Sequence, residues 1–250
     1  MDAVVETQAQ HQTLPEPRAR IGLIVPSVNR MSEPQFNHFA PAGLGIHVAR
    51  ARITGPWRKP AVEMKDEIAR SAAALADSGP DLIVYHCTDS SMREGRAGER
   101  TLTGIVREAT GIDTVSTSAL VIEAMRALGI KSVVLLSPYQ SNDVIVRYLE
   151  ANGVAVRHDV ALRLDGHAFT AVTPQRWLEL AREHDRADAD GIFLSCTNTT
   201  QIEAIEDIEL ALGKPVVNSN QAVLWGALKR LGGKLGVLPP MPRLGRLMNA

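Results

Sequence analysis

The amino-acid sequence predicts an α/β fold of two pseudo-symmetric, Rossmann-like lobes with parallel sheets and an active site in the cleft between them. Apolar strand-like runs alternate with segments of helical periodicity along most of the chain, which is typical of parallel sheets covered by helices on both faces. The chain also repeats itself: Asp190–Cys196 resembles Asp81–Cys87, and Gly213–Leu231 resembles Gly111–Leu128. The offset between the paired segments is nearly constant, which indicates a duplicated unit.

The overall composition is that of a folded protein. The chain has 250 residues, of which 45% are hydrophobic and 22% charged, so it can bury a full core. A net charge of -1 without a long basic run argues against nucleic acid or an anionic membrane as the main partner. No apolar segment approaches the length of a bilayer span. Since the start of the chain lacks the pattern of a secretory signal, we expect a cytoplasmic protein, and we also expect a homo-oligomer.

The first lobe is predicted over residues 20–118, after a polar segment, 1–19, that we expect to be a disordered leader. The elements of this half are predicted from short apolar runs and from helical periodicity ended by Gly or Pro. Its strands are Arg20–Ser27, Ile46–Ile53, Asp81–Thr88 and Asp113–Ser116, and its helices are Val62–Leu75 and Gly98–Thr110. A further helix, Ser118–Leu128, is predicted across the boundary to the second lobe.

The second lobe is predicted over residues 119–217, where the same order of elements begins again. Residues 218–250 are predicted to form a C-terminal helix and tail, with packing back on the first lobe as one arrangement. The strands predicted from apolar runs are Lys131–Ser137, Val154–Leu162 and Asp190–Cys196, and the helix between the last two is Pro174–Ala187.

Each predicted lobe carries one cysteine at the same place, the carboxyl end of a strand. Cys87 and Cys196 both lead into a turn of small polar residues, where open α/β sheets place their ligands. We expect a helix to start after each thiol and to lower its pKa. A thiol pair across a cleft suits two-base proton transfer, a nucleophile with an acid/base partner, or a redox dithiol. The Cys-x-x-Cys spacing usual in redox dithiols is absent.

The sequence gives no support for a cofactor. It has no Gly-x-Gly-x-x-Gly after the first strand, no phosphate-loop lysine motif and no set of metal ligands at suitable spacing. His86 is next to Cys87, but consecutive side chains of a strand point to opposite faces, so we expect His86 to be packed in the core. We therefore predict an enzyme without a metal or a cofactor.

Polar residues at the strand ends fit a carboxylate better than a phosphate, because they are amides and hydroxyls. Asp89 is the exception, and we expect it to cap a helix, since an ionised Asp89 would oppose an anionic substrate. The predicted substrate-binding residues are Asn29, Thr88, Ser137, Tyr139, Thr197 and Asn198, and Asn218 offers a further amide.

Five strand-end motifs resemble the aspartate/glutamate racemase superfamily, and the nearest branch is that of the maleate cis-trans isomerases, with the arylmalonate decarboxylases close by. The resemblance spans about residues 20–232. The chain differs from the isomerase pattern after Cys87, where it has Asp89 and then Arg93, and near 165–167, where an Asp-Asn pair is usual. The motifs are Val-Pro-Ser-Val-Asn-Arg-Met-Ser-Glu (25–33), Tyr-His-Cys-Thr (85–88), Ser-Pro-Tyr (137–139), Ser-Cys-Thr-Asn (195–198) and Asn-Ser-Asn-Gln-Ala (218–222).

The resemblance implies a cofactor-independent enzyme in which Cys87 adds to the substrate double bond and Cys196 is its acid/base partner. Asn29 and Tyr139 would hold the carboxylates. The function predicted from it is cis-trans isomerisation of a small dicarboxylate, maleate to fumarate. The alternatives are a cysteine-dependent racemase or arylmalonate-type decarboxylase that acts through an enolate, and a non-catalytic protein that binds a small acid.

Overall fold

The computed structural model describes residues 15–250 and contains two four-stranded parallel sheets of identical strand order. In the first sheet the order is β2-β1-β3-β4, and the strands are β1 (Ala19–Pro26), β2 (Leu44–Ala51), β3 (Leu82–Tyr85) and β4 (Thr114–Ser116). In the second sheet the order is β6-β5-β7-β8, and the strands are β5 (Ser132–Ser137), β6 (Ala155–Ala161), β7 (Gly191–Leu194) and β8 (Val216–Asn218). The predicted fold class is confirmed.

Nine α-helices lie between and after the strands of the described part of the chain. The helices of the first half are α1 (Ser32–Phe39), α2 (Lys65–Ala76), α3 (Thr88–Met92), α4 (Gly95–Thr110) and α5 (Thr117–Ala127). Those of the second half are α6 (Asp143–Glu150), α7 (Pro174–His184), α8 (Ile205–Leu212) and α9 (Ser219–Leu235). None of the helices in residues 15–250 is long and apolar enough to cross a membrane.

The central strands are apolar on both faces because helices cover both sides of each sheet. The runs Leu82–Tyr85 and Gly191–Leu194 are buried at every position. Parallel pairing places the carboxyl ends of all strands of a sheet at one edge. The segments that follow β1 and β3 therefore come together at the edge of the first sheet, and those that follow β5 and β7 at the edge of the second. These segments carry the polar residues singled out above.

Helices α5 and α9 follow the last strand of each sheet and pack against each other. A Cβ atom built on Gly226 of α9 would lie 2.5 Å from a Leu120 methyl group of α5, so a larger residue would require the Leu120 side chain to move. Helix α9 starts in a capping box, in which the Asn218 side chain accepts from the Gln221 N–H and the Gln221 side chain accepts from the Asn218 N–H. The motif 218–222 is thus a helix start between the two sheets.

Helix α9 also contacts α1 and β1, whereas the tail after it packs against the second half. Leu244 and Leu247 of the tail are buried, and the Arg246 N–H donates to the Glu209 carboxylate at 2.9 Å. That 20–118 and 119–217 are separate domains stays a prediction. Of the predicted leader, residues 1–14 lie outside the described residues, and Ala19 is the first residue of β1.

Candidate active site

One large cavity lies between the two sheets at the carboxyl ends of their strands. Its volume is about 720 Å³, which is ample for a small organic acid. Both lobes contribute to its wall. The lining residues on which the arguments below depend are Asn29, Trp57, Arg58, Cys87, Asp89, Arg93, Tyr139, Asp143, Phe169, Cys196, Thr197 and Asn198.

The two cysteines occupy equivalent positions in this wall. Cys87 is the second residue after β3 and Cys196 the second after β7. Both are free thiols with 4% of their surface exposed, and both line the cavity. They are also close enough for the charge of one to act on the other, because ionised Cys87 raises the pKa of Cys196. The predicted convergence of the two thiols on one cleft is borne out by this geometry.

The pKa values of both thiols are shifted in the direction opposite to the prediction. Burial, followed by the Asp89 charge, raises the pKa of Cys87 to about 11, and hydrogen bonds to Ser90 oppose the shift only in part. Burial likewise raises the pKa of Cys196 to about 12, against hydrogen bonds from Asn198 and Tyr139. The predicted lowering was wrong because loss of water outweighs the helix-start effect. Both thiols are therefore protonated at neutral pH.

The local backbone explains why the helix-start effect is small. Cys87 precedes α3, which is only five residues long. No helix starts directly after Cys196: residues 197–200 form bends, a 3₁₀ turn follows at Gln201–Ala204, and α8 begins only at Ile205. A single backbone donor, the Asn198 N–H, reaches the Cys196 Sγ at 3.3 Å. The predicted order of strand, turn and helix is present around Cys196, but the helix begins too far along the chain to act on the thiol.

Tyr139 stands beside Cys196 and is held by the turn after β5. Its backbone N–H donates to Ser137 Oγ at 3.2 Å, and its ring packs edge-on against Phe169 at 5.8 Å. The phenol lies close enough to the Cys196 thiol to lower the thiol's pKa, while burial, followed by the nearby Cys196 charge, holds the pKa of Tyr139 well above its usual value. Tyr139 is therefore a fixed hydrogen-bond donor toward Cys196.

Asn29 and Asn198 join the lobes at the cavity wall. Asn29 Nδ2 donates toward Thr197 Oγ1 at 3.1 Å and toward the Thr197 carbonyl oxygen at 3.2 Å. In return, Asn198 Oδ1 accepts from the Arg30 N–H at 2.8 Å. Asn29 Oδ1 also accepts from the N–H groups of Met31 and Ser32, which holds the turn into α1. All three predicted residues, Asn29, Thr197 and Asn198, line the cavity.

Two predicted substrate-binding residues do not line the cavity, which is a correction. Thr88 Oγ1 donates to Ser219 Oγ at 2.8 Å, and Ser219 Oγ accepts from the Cys196 N–H at 3.3 Å. Ser137 Oγ donates to Asn142 Oδ1 at 2.5 Å. Both hydroxyls are buried and engaged in fixing backbone near the thiols, so Thr88 and Ser137 act on the site through their neighbours.

The structure agrees with the prediction for His86 but not with the prediction for Asp89. The prediction for His86 is confirmed: it is fully buried between Thr117 Oγ1 and Asn220 Oδ1, at 2.9 and 3.0 Å, and burial lowers its pKa to about 3. The predicted helix-capping role of Asp89 is wrong. Its carboxylate instead accepts from Arg93 Nη2 at 2.5 Å and lies 3.1 Å from Arg58 Nη2, in the cavity wall.

Comparison with known proteins matches most of the chain to one family. The sequence profile described as arylmalonate decarboxylase matches residues 21–238. The chain belongs to the arylmalonate decarboxylase family. This confirms the resemblance drawn from the strand-end motifs, because both cysteines and every other lining residue discussed above fall within the matched range.

Relatives within this family include isomerases as well as decarboxylases. The chain is 27% identical to a maleate isomerase of Geobacillus stearothermophilus, over 92% of this chain and 97% of that protein. It is 30% identical to the arylmalonate decarboxylase of Bordetella bronchiseptica, over 72% and 77%. It is also similar in structure to a cysteine-to-serine mutant of the Nocardia farcinica maleate cis-trans isomerase, which holds a covalently bound succinylcysteine intermediate. The TM-score is 0.81 at 25% identity, over 92% of this chain and 98% of that one.

Sequence reasoning missed several lining residues of this family member. Trp57 and Arg58 belong to the segment after β2, which the sequence predicts only as a loop, and Phe169 belongs to a 3₁₀ segment, Gly166–Ala171, after β6. The available signal is topological: both segments follow a strand at the carboxyl edge of its sheet, where ligands bind.

Proposed function

We propose that this protein is a cofactor-independent cis-trans isomerase of a small cis-unsaturated dicarboxylate of the maleate type. The observation that carries the proposal is the pair of buried thiols, Cys87 and Cys196, delivered to one cavity by equivalent strand ends of two lobes. Relatives named maleate isomerase that match 92% of this chain support it. A binding protein would have no need of two matched thiols.

The reaction starts with addition to the double bond. The Cys87 thiolate uses an electron pair to form a bond to C2, and the π electrons of the C2–C3 bond move to C3. The Cys196 thiol gives its proton to C3. The product of this step is a succinyl group on Cys87 and a thiolate on Cys196.

Rotation and elimination complete the cycle. The C2–C3 bond of the adduct is single, so the two carboxylates can rotate to the opposite arrangement. The Cys196 thiolate then removes a proton from C3, the double bond re-forms, and the Cys87 sulfur leaves as a thiolate. The trans product is released, with Cys87 again a thiolate and Cys196 again a thiol.

The protonation states set a condition on this cycle. In the reactive form the two thiols share one proton. Before substrate binds, each thiol is protonated at neutral pH, since the pKa values are about 11 and 12. Cys87 therefore releases a proton to the solvent before addition. At the adduct stage the negative charge lies on Cys196, where the Tyr139 hydroxyl and the Asn198 N–H are in place to stabilise it.

The assignment of Cys87 as nucleophile comes from the family resemblance. In the Nocardia farcinica relative, a succinylcysteine is present although one cysteine is replaced by serine, so in that protein the adduct forms on a cysteine other than the replaced one. This division of roles supports the assignment of separate functions to Cys87 and Cys196.

A panel of substrates tests the proposal. Maleate, citraconate, arylmalonates and amino-acid enantiomers are incubated with the protein and followed by proton NMR, with and without a chelator. We expect conversion of maleate to fumarate that survives chelation. Decarboxylation of arylmalonates without isomerisation would favour the second candidate, which the relative of 30% identity supports.

Two further properties belong to the proposal. We propose that the protein is a homo-oligomer, which light scattering tests, and that it is located in the cytoplasm, which cell fractionation tests. Asn29, Tyr139, Thr197 and Asn198, which line the cavity, are proposed to contact the substrate. The proposed reaction uses no metal or cofactor.

A further inference from the structure

The cavity wall beside Cys87 contains a carboxylate between two guanidinium groups. Asp89 lies in the first turn of α3, its Oδ1 atom accepts from Arg93 Nη2, and its Oδ2 atom lies 3.1 Å from Arg58 Nη2. All three side chains line the cavity. The Asp89 side chain is 15% exposed and that of Arg58 is 42% exposed, so the carboxylate is the fixed member and Arg58 is the member free to move.

Two atoms of this trio are buried without a hydrogen-bond partner among residues 15–250. They are Asp89 Oδ2, an acceptor, and Arg93 Nε, a donor. Arg58 covers the Asp89 oxygen without hydrogen-bond geometry. Buried polar atoms of a native protein are nearly always paired. An unpaired acceptor and an unpaired donor on two cavity-lining side chains therefore indicate a place where a polar group of a ligand binds.

A ligand group that pairs with both atoms must donate one hydrogen bond and accept another. A primary carboxamide does so, since its NH₂ can donate to Asp89 Oδ2 while its carbonyl oxygen accepts from Arg93 Nε. A carboxylate has acceptors only. Once Arg58 has moved aside, a carboxylate would satisfy Arg93 but would leave Asp89 Oδ2 without a donor and bring a second negative charge against Asp89, which opposes binding.

We infer that Asp89 is a specificity-determining residue that selects a cis-unsaturated C4 acid with one carboxylate and one primary carboxamide over the corresponding dicarboxylate. The inference rests on the proposed function and refines its substrate class. Arg58 moves aside when the substrate enters, and the carboxamide takes its place on Asp89. The remaining carboxylate is bound by Asn198 and Tyr139 on the opposite lobe.

The monoamide can react by the same sequence of addition, rotation and elimination. The Cys87 thiolate adds to the alkene carbon that bears the carboxylate, and the π electrons move to the carbon next to the amide carbonyl, which takes the Cys196 proton. After rotation, Cys196 removes that proton and the Cys87 sulfur leaves. A neutral amide withdraws electrons better than an anionic carboxylate, so this alkene is the better acceptor of a thiolate.

The experiment compares kcat/KM for maleate and for its monoamide in the wild-type protein and in Asp89→Asn. We expect the wild type to favour the monoamide by about tenfold or more, and Asp89→Asn to reduce that preference by a similar factor, because it removes the repelling charge. The matched control is Asp143→Asn, which removes the same charge from an exposed cavity-lining residue of α6 and should leave the preference unchanged.

A binding measurement on the wild type covers the case in which Asp89→Asn does not fold. Calorimetry with the saturated analogues, succinate and its monoamide, should show tighter binding of the monoamide. Equal or tighter binding of succinate, or a change of both rates by the same factor in Asp89→Asn, would overturn the inference and leave the proposed function intact. If neither maleate nor its monoamide is isomerised, the proposed function is refuted. The two binding constants would still show which ligand Asp89 selects.

Discussion

Asn29 of the first lobe donates from Nδ2 toward Thr197 Oγ1 of the second lobe at 3.1 Å, so the wall of the cavity is also an interface between the lobes. Asn29 is 3% exposed and Thr197 is likewise buried. The relative position of the two thiols therefore depends on polar contacts inside the site itself. This links the stability of the lobe arrangement to catalysis.

The substitution Asn29→Ala should destabilise the protein by about 1–3 kcal/mol, because it leaves Thr197 Oγ1 and two backbone N–H groups without their partner. Urea unfolding followed by circular dichroism measures the change. Asn37→Ala, at an exposed position of α1, is the control and should cost little. Equal stability of Asn29→Ala and wild type would contradict the interface role.

Activity should rise with pH well beyond neutrality. Both thiols are protonated in the empty site, with pKa values of about 11 and 12, and the reaction needs one of them ionised. We expect kcat/KM, which reports the free enzyme, to increase by about tenfold per pH unit between roughly pH 7 and pH 9. A pH profile that is flat from neutrality upward would show that a thiolate is already present in the empty site.

Tyr139→Phe should lower kcat by about 100-fold, because it removes a hydroxyl that stabilises the Cys196 thiolate. Steady-state kinetics with maleate measures the effect, and thermal unfolding checks that the fold is kept. The control, Tyr148→Phe, removes a hydroxyl from a buried tyrosine of α6 that does not line the cavity. If both variants lose activity equally, the role of Tyr139 at Cys196 is refuted.

Cys87→Ala and Cys196→Ala should each reduce turnover by roughly 10³-fold or more while the protein stays folded, because each removes one half of a two-thiol cycle. Circular dichroism and steady-state rates are measured for both variants. Near-normal turnover in Cys87→Ala combined with an inactive Cys196→Ala would replace the addition mechanism by a single-thiol mechanism through an enolate.

The sequence predicts the frame of this molecule well because apolar runs and helical periodicity directly reflect burial. The two sheets, their helices α2, α4, α5 and α7 and the equivalent places of the thiols are confirmed. Helix α1 is missing from the prediction because its buried face includes Ser32 and Gln35 and has little apolar periodicity. The short helix α3 has only Met92 as a large apolar residue.

The electrostatics of the site could not be predicted from local sequence. The raised thiol pKa values depend on burial between two lobes, and the pairing of Asp89 with Arg58 joins residues from different loops. The hydroxyls of Thr88 and Ser137 are at strand ends, as expected, yet they are used by Ser219 and Asn142. Residue type and strand position identify candidates, but only the fold shows which side chains reach the cavity.

The most direct test of the central claim, that Cys87 adds covalently to a cis-unsaturated acid, is mass spectrometry of Cys196→Ala after incubation with maleate at alkaline pH. Without its acid/base partner, the adduct should form and be released slowly, and intact-mass and peptide analysis should locate a succinyl group on Cys87. A succinyl group on Cys196 in the wild-type protein, with none on Cys87 under any condition, would contradict the account.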